Sequence, residues 1–153
     1  MKNTKKFKIC FLLIFVLINI LYITPSYSLS EREDLFKNAL NLSSIGKFNL
    51  ALQRWNKYLE LFPDDPAALS NRGNVKLVLG DQEGSIFDQN KAIDLDPDEV
   101  DPYINRGIAK ESLGLWLEAK KDYLYVISKD SENFSALYNF ANVEGSLSDW
   151  QSA

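Results

Sequence analysis

Small and bulky apolar positions recur along residues 32–153 in groups spaced as helices space their faces, and each group returns after 34 residues. With Arg32, Pro66, Val100 and Phe134 taken as first positions, the fourth is Leu35, Leu69, Tyr103 and Leu137. The eighth is Ala39, Gly73, Gly107 and Ala141, small in every copy, where two helices would close on each other. The fifteenth, Gly46, Gly80, Gly114 and Ser148, predicts the turn between two helices, and the twentieth is small again at Ala51, Ser85, Ala119 and Ala153. Trp55, Gln89 and Tyr123 follow at the twenty-fourth position and Tyr58, Ala92 and Val126 at the twenty-seventh. Pro63 and Pro97 stop the second helix, with Ser131 in the matching place of the third copy.

A fixed step of this size marks stacked copies of one helix-turn-helix unit, none of which buries its apolar face alone. The expected fold is all-α, one domain over residues 29–153 whose core is a continuous seam, with repeats at about 32–65, 66–99, 100–133 and a partial one at 134–153. In that partial copy the second helix is expected to begin from Trp150, beyond a turn at Ser148.

Two stretches carry the pattern best: Ser70-Asn71-Arg72-Gly73-Asn74 with Leu79-Gly80-Asp81, and Ile104-Asn105-Arg106-Gly107 with Leu113-Gly114-Leu115. They resemble the tetratricopeptide repeat family, whose unit is a helix-turn-helix of this length; the resemblance implies a right-handed α-solenoid. Gln82 and Gln89 depart from the family's usual aromatics, Ser131 from its proline and Glu144 from its bulky residue. These departures bear on local packing.

The first 28 residues follow another logic. Lys2, Lys5, Lys6 and Lys8 precede an apolar run at 9–23, and small residues around Ser26 and Ser28 follow. That is the order of an export signal, and the run is short for the roughly 20 residues of a permanent span. Cleavage after Ser28 is the first expectation and an uncleaved membrane anchor the second; both put the repeats outside the cytoplasm, in a periplasm, thylakoid lumen or extracellular space. Cys10, the only cysteine, lies inside this segment and leaves the rest without a disulfide. Losing the four lysines takes the net charge from −4 to −8. An acidic domain repels phosphate backbones and anionic lipid, which argues against nucleic acid and against membrane contact beyond the N-terminal segment.

Catalysis has little to use. The chain has no histidine and no cysteine beyond residue 10, so imidazole bases, thiolates and nitrogen or sulfur metal ligands are missing, and no cofactor or metal is expected. The acidic run Asp94, Asp96, Asp98, Glu99, Asp101 fails as a calcium loop, because Glu99 stands where the turn glycine belongs and Asn105 at the twelfth place. It reads instead as the turn before a helix, with its acids at the positive end of the helix dipole. Carboxylate pairs among Asp81, Asp88, Glu111 and Glu118 have no convincing spacing.

A non-enzymatic protein-binding scaffold remains. First helices of stacked units line a concave face that can hold an extended peptide or a partner helix. The sixth position there is Lys37, Asn71, Asn105 and Asn139, and the ninth includes Asn74 and Asn142, one turn further along the same helical face. Asparagines at these places resemble the family's groove ladder, which implies amides that pair with a bound peptide's backbone. Tyr138 is expected to face the same groove. Family members that clamp acidic chaperone tails add basic residues on flanking first helices; here those places hold Phe36 and Leu40, or Ser70 and Asn74, on one side and Asp101 and Asn105, or Ser135 and Asn139, on the other, so an acidic tail is not expected. Arg72 and Arg106 are expected to pack by their stems with the heads exposed. The open end after Ala153 raises a second possibility, a homo-oligomer formed through Phe140 and Leu147. Repeats of the Asn-Arg-Gly style behind an export signal also resemble repeat proteins of cyanobacteria and plastids, among which lumenal members assist photosystem assembly.

Overall fold

The computed structural model describes residues 27–152. Among them seven helices run in order: α1 (Leu29–Ser44), α2 (Phe48–Leu61), α3 (Pro66–Val78), α4 (Gln82–Leu95), α5 (Asp101–Ser112), α6 (Trp116–Lys129) and α7 (Phe134–Ser152). The chain divides into two units, Met1–Glu31 and Arg32–Ala153, and the second carries the repeats. The expected export segment lies outside the described residues except at its end. There Ser28 Oγ accepts the Glu31 N–H at 3.2 Å while Glu31 Oε2 accepts the Ser28 N–H at 2.8 Å, a reciprocal cap on α1. No helix among the described residues is long and apolar enough to cross a membrane.

Glycine sets the helix pairs. Gly46, Gly80 and Gly114 have φ of 74°, 86° and 72°, a region closed to most side chains. Around each, two N–H groups return to the end of the preceding helix: for the second, Gly80 N–H to Leu77 O at 3.0 Å and Asp81 N–H to Lys76 O at 2.9 Å. Ser148 does not follow. It stays helical, its Oγ donating to Glu144 O at 2.9 Å, and α7 runs on to Ser152. The expected turn and second helix at Trp150 are therefore absent from the described residues, because serine pays a steric cost at positive φ that glycine does not. Ala141, the small residue of that copy, is accordingly exposed instead of covered by a second helix. Between repeats, Asp65 caps α3 through the Ala68 N–H at 3.0 Å and Asn133 accepts the Ala136 N–H at 3.0 Å at the start of α7. α6 ends at Lys129 without help from a proline.

The small positions do what their spacing predicts. A Cβ on Gly107 would stand 2.5 Å from the Tyr123 ring, and one on Gly73 would stand 2.6 Å from Gln89 Nε2. Trp55, Gln89 and Tyr123 are each wholly buried between a first and a second helix. Phe36, Trp55 and Tyr58 meet edge to face, with ring centroids 4.9–6.0 Å apart.

The apolar seam is interrupted, contrary to expectation. One cluster joins Ala39, Trp55, Tyr58, Leu69 and Ala92, and two others lie around Ile104, Val126 and Ala136 and around Ala119, Tyr123 and Val143. Between them α4 buries Ser85, Asp88 and Gln89. Asp88 is fully buried and receives Arg72 at 2.7 Å and Lys76 at 2.9 Å. One repeat later Asp122 receives Arg106 at 2.6 Å and Lys110 at 2.7 Å. Each arginine also reaches the previous second helix, Arg72 to Asn56 Oδ1 at 3.2 Å and Arg106 to Asn90 Oδ1 at 2.7 Å. The arginine heads are thus bound, where the sequence reading left them exposed: a buried carboxylate needs a fork of donors to offset its lost hydration. The seventh, eleventh and twenty-third positions repeat together as Arg, Lys and Asp in copies two and three, and that spacing was the available signal.

Candidate functional site

Successive first helices abut through the face that carries the asparagines. Asn105 Nδ2, on α5 at the sixth position of its repeat, donates to Ser70 Oγ, on α3 at the fifth position of its repeat, over 3.3 Å. Asn71 Nδ2 donates to Ala67 O on its own helix at 2.8 Å. Each amide keeps a second N–H, and each Oδ1 accepts no bond among the described residues, so hydrogen-bonding capacity remains for a ligand. Asn74 and Asn139 are half-buried on α3 and α7, and Asn142 is exposed one turn beyond Asn139. Tyr138 is exposed and stacks on Phe134, with ring centroids 6.2 Å apart. Lys37 is exposed on α1, where its Nζ pairs with Glu33 at 3.1 Å. The structure therefore brings Asn71, Asn105 and the first turns of α3 and α5 together and leaves Lys37 tied to its own helix.

One part of this face was not singled out by sequence reasoning. The starts of α3 and α5 enclose a recess of about 190 Å3 lined by Pro66, Ala67, Ser70 and Asn71 on one side and Asp96, Glu99, Asp101 and Pro102 on the other. Glu99 Oε1 is engaged by the N–H groups of Val100 at 3.0 Å and Asp101 at 3.4 Å, a helix-start arrangement of the kind the sequence suggested. Asp98 points elsewhere, to Lys129 at 3.0 Å. Asp96 and Asp101 meet no base among the described residues. No lysine or arginine lines the recess.

Other acids are spent structurally. Asp88 and Asp122 are pinned as described, Asp81 accepts the Gly84 N–H at 2.9 Å, and Glu111 accepts the Tyr123 hydroxyl at 3.1 Å. Burial, with Glu111 beside it, pushes the Tyr123 phenol far above its ordinary range and keeps it a neutral donor. No group of three or more His, Cys, Asp or Glu among the described residues could hold a metal ion. Phe140 and Leu147, the candidate self-association residues, pack inward against the cluster of Ala119, Tyr123 and Val143.

The arrangement of helix pairs, glycine turns and a ladder of first helices superposes on the first TPR of Spaghetti (RPAP3) bound to the HSP90 peptide SRMEEVD with a TM-score of 0.75, at 24% identity, over 81% of this chain and 98% of that one. The fold is that of a tetratricopeptide-repeat domain. The Sgt2 TPR domain from Aspergillus fumigatus gives the same TM-score of 0.75 at 18% identity, over 80% of this chain and 83% of that one. Among curated proteins, the chain is 34% identical over 91 residues to the TPR repeat-containing thioredoxin TDX of Arabidopsis thaliana, covering 60% of this chain and 24% of that protein. It is also 34% identical over 93 residues to the STIP1 homolog of Dictyostelium discoideum, covering 60% of this chain and 16% of that protein. The chain thus spans a quarter or less of the length of these relatives. No family model matches it.

Proposed function

We propose that this tetratricopeptide chain is a non-enzymatic interaction module that holds an extended segment of a partner protein along α3, α5 and α7. The observation that carries the reading is the continuous face of first helices, joined at Asn105–Ser70, whose amides retain free hydrogen-bonding atoms for a backbone of any sequence. Peptides are also what the TPR domains of RPAP3 hold in their solved complexes, an HSP90 peptide in one and an HSP70 peptide in another. An acidic tail of that kind suits this groove poorly. Ser70, Asp101 and Ser135 occupy places where a carboxylate would need bases, and Asp101 would repel it. The lysine-headed apolar stretch at the N-terminus supports export, so we propose that the module works outside the cytoplasm.

Selection of a displayed random-peptide library on the full chain tests the binding role. Enriched peptides are expected to lose about tenfold or more in affinity when Asn71, Asn105 and Asn139 are changed to alanine together, with the circular dichroism spectrum unchanged. No enrichment, or enriched peptides indifferent to these changes, would overturn it.

A further inference from the structure

The groove has two unlike ends, and together they describe its occupant. At one end is the recess between the starts of α3 and α5, with Asp96, Glu99 and Asp101 on its wall. The starts of two helices contribute roughly half a positive charge each, which offsets about one of three carboxylates. The wall therefore stays net negative. The bases of the neighbouring helices are engaged by other carboxylates: Arg32 by Asp65, Arg72 and Lys76 by Asp88, Arg106 and Lys110 by Asp122, and Lys129 by Asp98. Glu99 is already engaged by backbone N–H groups, which leaves Asp96 and Asp101 as the carboxylates open to a ligand.

At the other end, on the first turns of α7, Phe134 and Tyr138 are 79% and 58% exposed and stacked on one another. An exposed aromatic pair is apolar area left uncovered by the fold. Asn105 lies on the helix between the two ends, and its amide joins α5 to α3.

We propose that the partner segment is basic and amphipathic: an extended stretch of a protein that places a lysine or arginine against Asp96 and Asp101 and an apolar side chain on Phe134 and Tyr138. This rests on the peptide-binding reading above and adds the chemistry of the peptide. The charge acts on association and on choice of partner, since opposite potentials raise the encounter rate and like charges exclude competitors. Screening over about 10 Å at 0.1 M salt makes that part of the affinity salt-dependent, while the aromatic contact persists.

The test uses the full chain and two short fluorescein-labelled peptides, identical except that the lysines of one are glutamates in the other, each with leucines further along. Fluorescence polarisation is expected to show the lysine peptide binding at least about tenfold tighter than its glutamate twin, with affinity falling as salt rises. The Asp96→Asn, Asp101→Asn double variant, which keeps the Glu99 cap, is expected to lose about tenfold for the lysine peptide and most of the salt dependence. Tyr138→Ala is expected to weaken binding without changing the salt slope. Both variants are melted beside the parent, and equal melting temperatures assign the loss to the surface. Preference for the glutamate peptide, an unchanged affinity in the double variant, or no binding of either peptide would overturn the proposal. In the first two outcomes, loss of binding on Asn105→Ala would leave the groove standing as a peptide site with other chemistry.

Discussion

Asp65 shows how much a single side chain organises. Its Oδ1 caps α3 while its Oδ2 takes the Tyr58 hydroxyl at 2.6 Å and the Arg32 guanidinium at 2.8 Å. Burial alone would raise its pKa, but the bonds from Tyr58, the Ala68 N–H and Arg32 outweigh burial and hold the carboxyl below its ordinary value. A folded-state pKa below the unfolded one contributes stability that is complete above the unfolded value and fades as pH falls through the folded one. Asp65→Asn is therefore expected to be less stable than the parent at neutral pH, and the gap between the two in urea unfolding should shrink in acid, below the carboxylate range. A gap independent of pH would contradict this role. Nothing in the sequence disclosed the trio: Arg32, Tyr58 and Asp65 fall on the first, twenty-seventh and thirty-fourth positions of one copy, and copies two and three repeat neither the arginine nor the tyrosine.

Helices pair in this molecule by close approach, and the approach depends on absent side chains. Gly107 lies so near Tyr123 that one added methyl would overlap the ring, and Tyr123 is held in place by its bond to Glu111. Gly107→Ala gains helix propensity yet forces the ring or the helix to move, and overpacking of this kind costs about 1–3 kcal/mol. A lower urea midpoint with an unchanged slope is the expected result; a gain in stability would show that α5 and α6 have room the geometry does not show. The turns between helices were readable because glycine recurs where φ turns positive. The same register places a turn at Ser148, but serine lacks glycine's freedom at positive φ and α7 continues through it. Gln89 hid a break in the seam similarly, standing where its counterparts Trp55 and Tyr123 are aromatic. It bonds Ser70 O at 3.0 Å, while its Oε1 and the Ser85 Oγ one turn before it are buried with no partner among the described residues.

Taken whole, the repeats form a stack in which α3, α5 and α7 build one face, the buried ion pairs join the two helices of one repeat, and the same arginines bond an asparagine of the repeat before. The Arg72–Asn56 and Arg106–Asn90 contacts cross repeat boundaries, and the buried aspartates fix where each arginine sits. The periodic pattern disclosed the stack and its turns, because periodicity is what a repeat leaves in sequence. It disclosed the groove only in part. The asparagine ladder recurs and could be read, whereas the recess joins Asp96, from the end of α4, to Pro66 and Asn71 of α3, an encounter across helices that no linear spacing displays. Peptide binding by the α3–α5–α7 face can be seen residue by residue in solution. The most direct measurement is amide chemical-shift mapping on the isotopically labelled full chain titrated with a library-selected peptide. Shifts are expected to concentrate on Asn71, Asn74, Asn105, Tyr138, Asn139 and Asn142, with α2, α4 and α6 nearly unmoved. Shifts gathered on α2, α4 and α6 with the asparagine face silent would place the peptide elsewhere and rule out this groove.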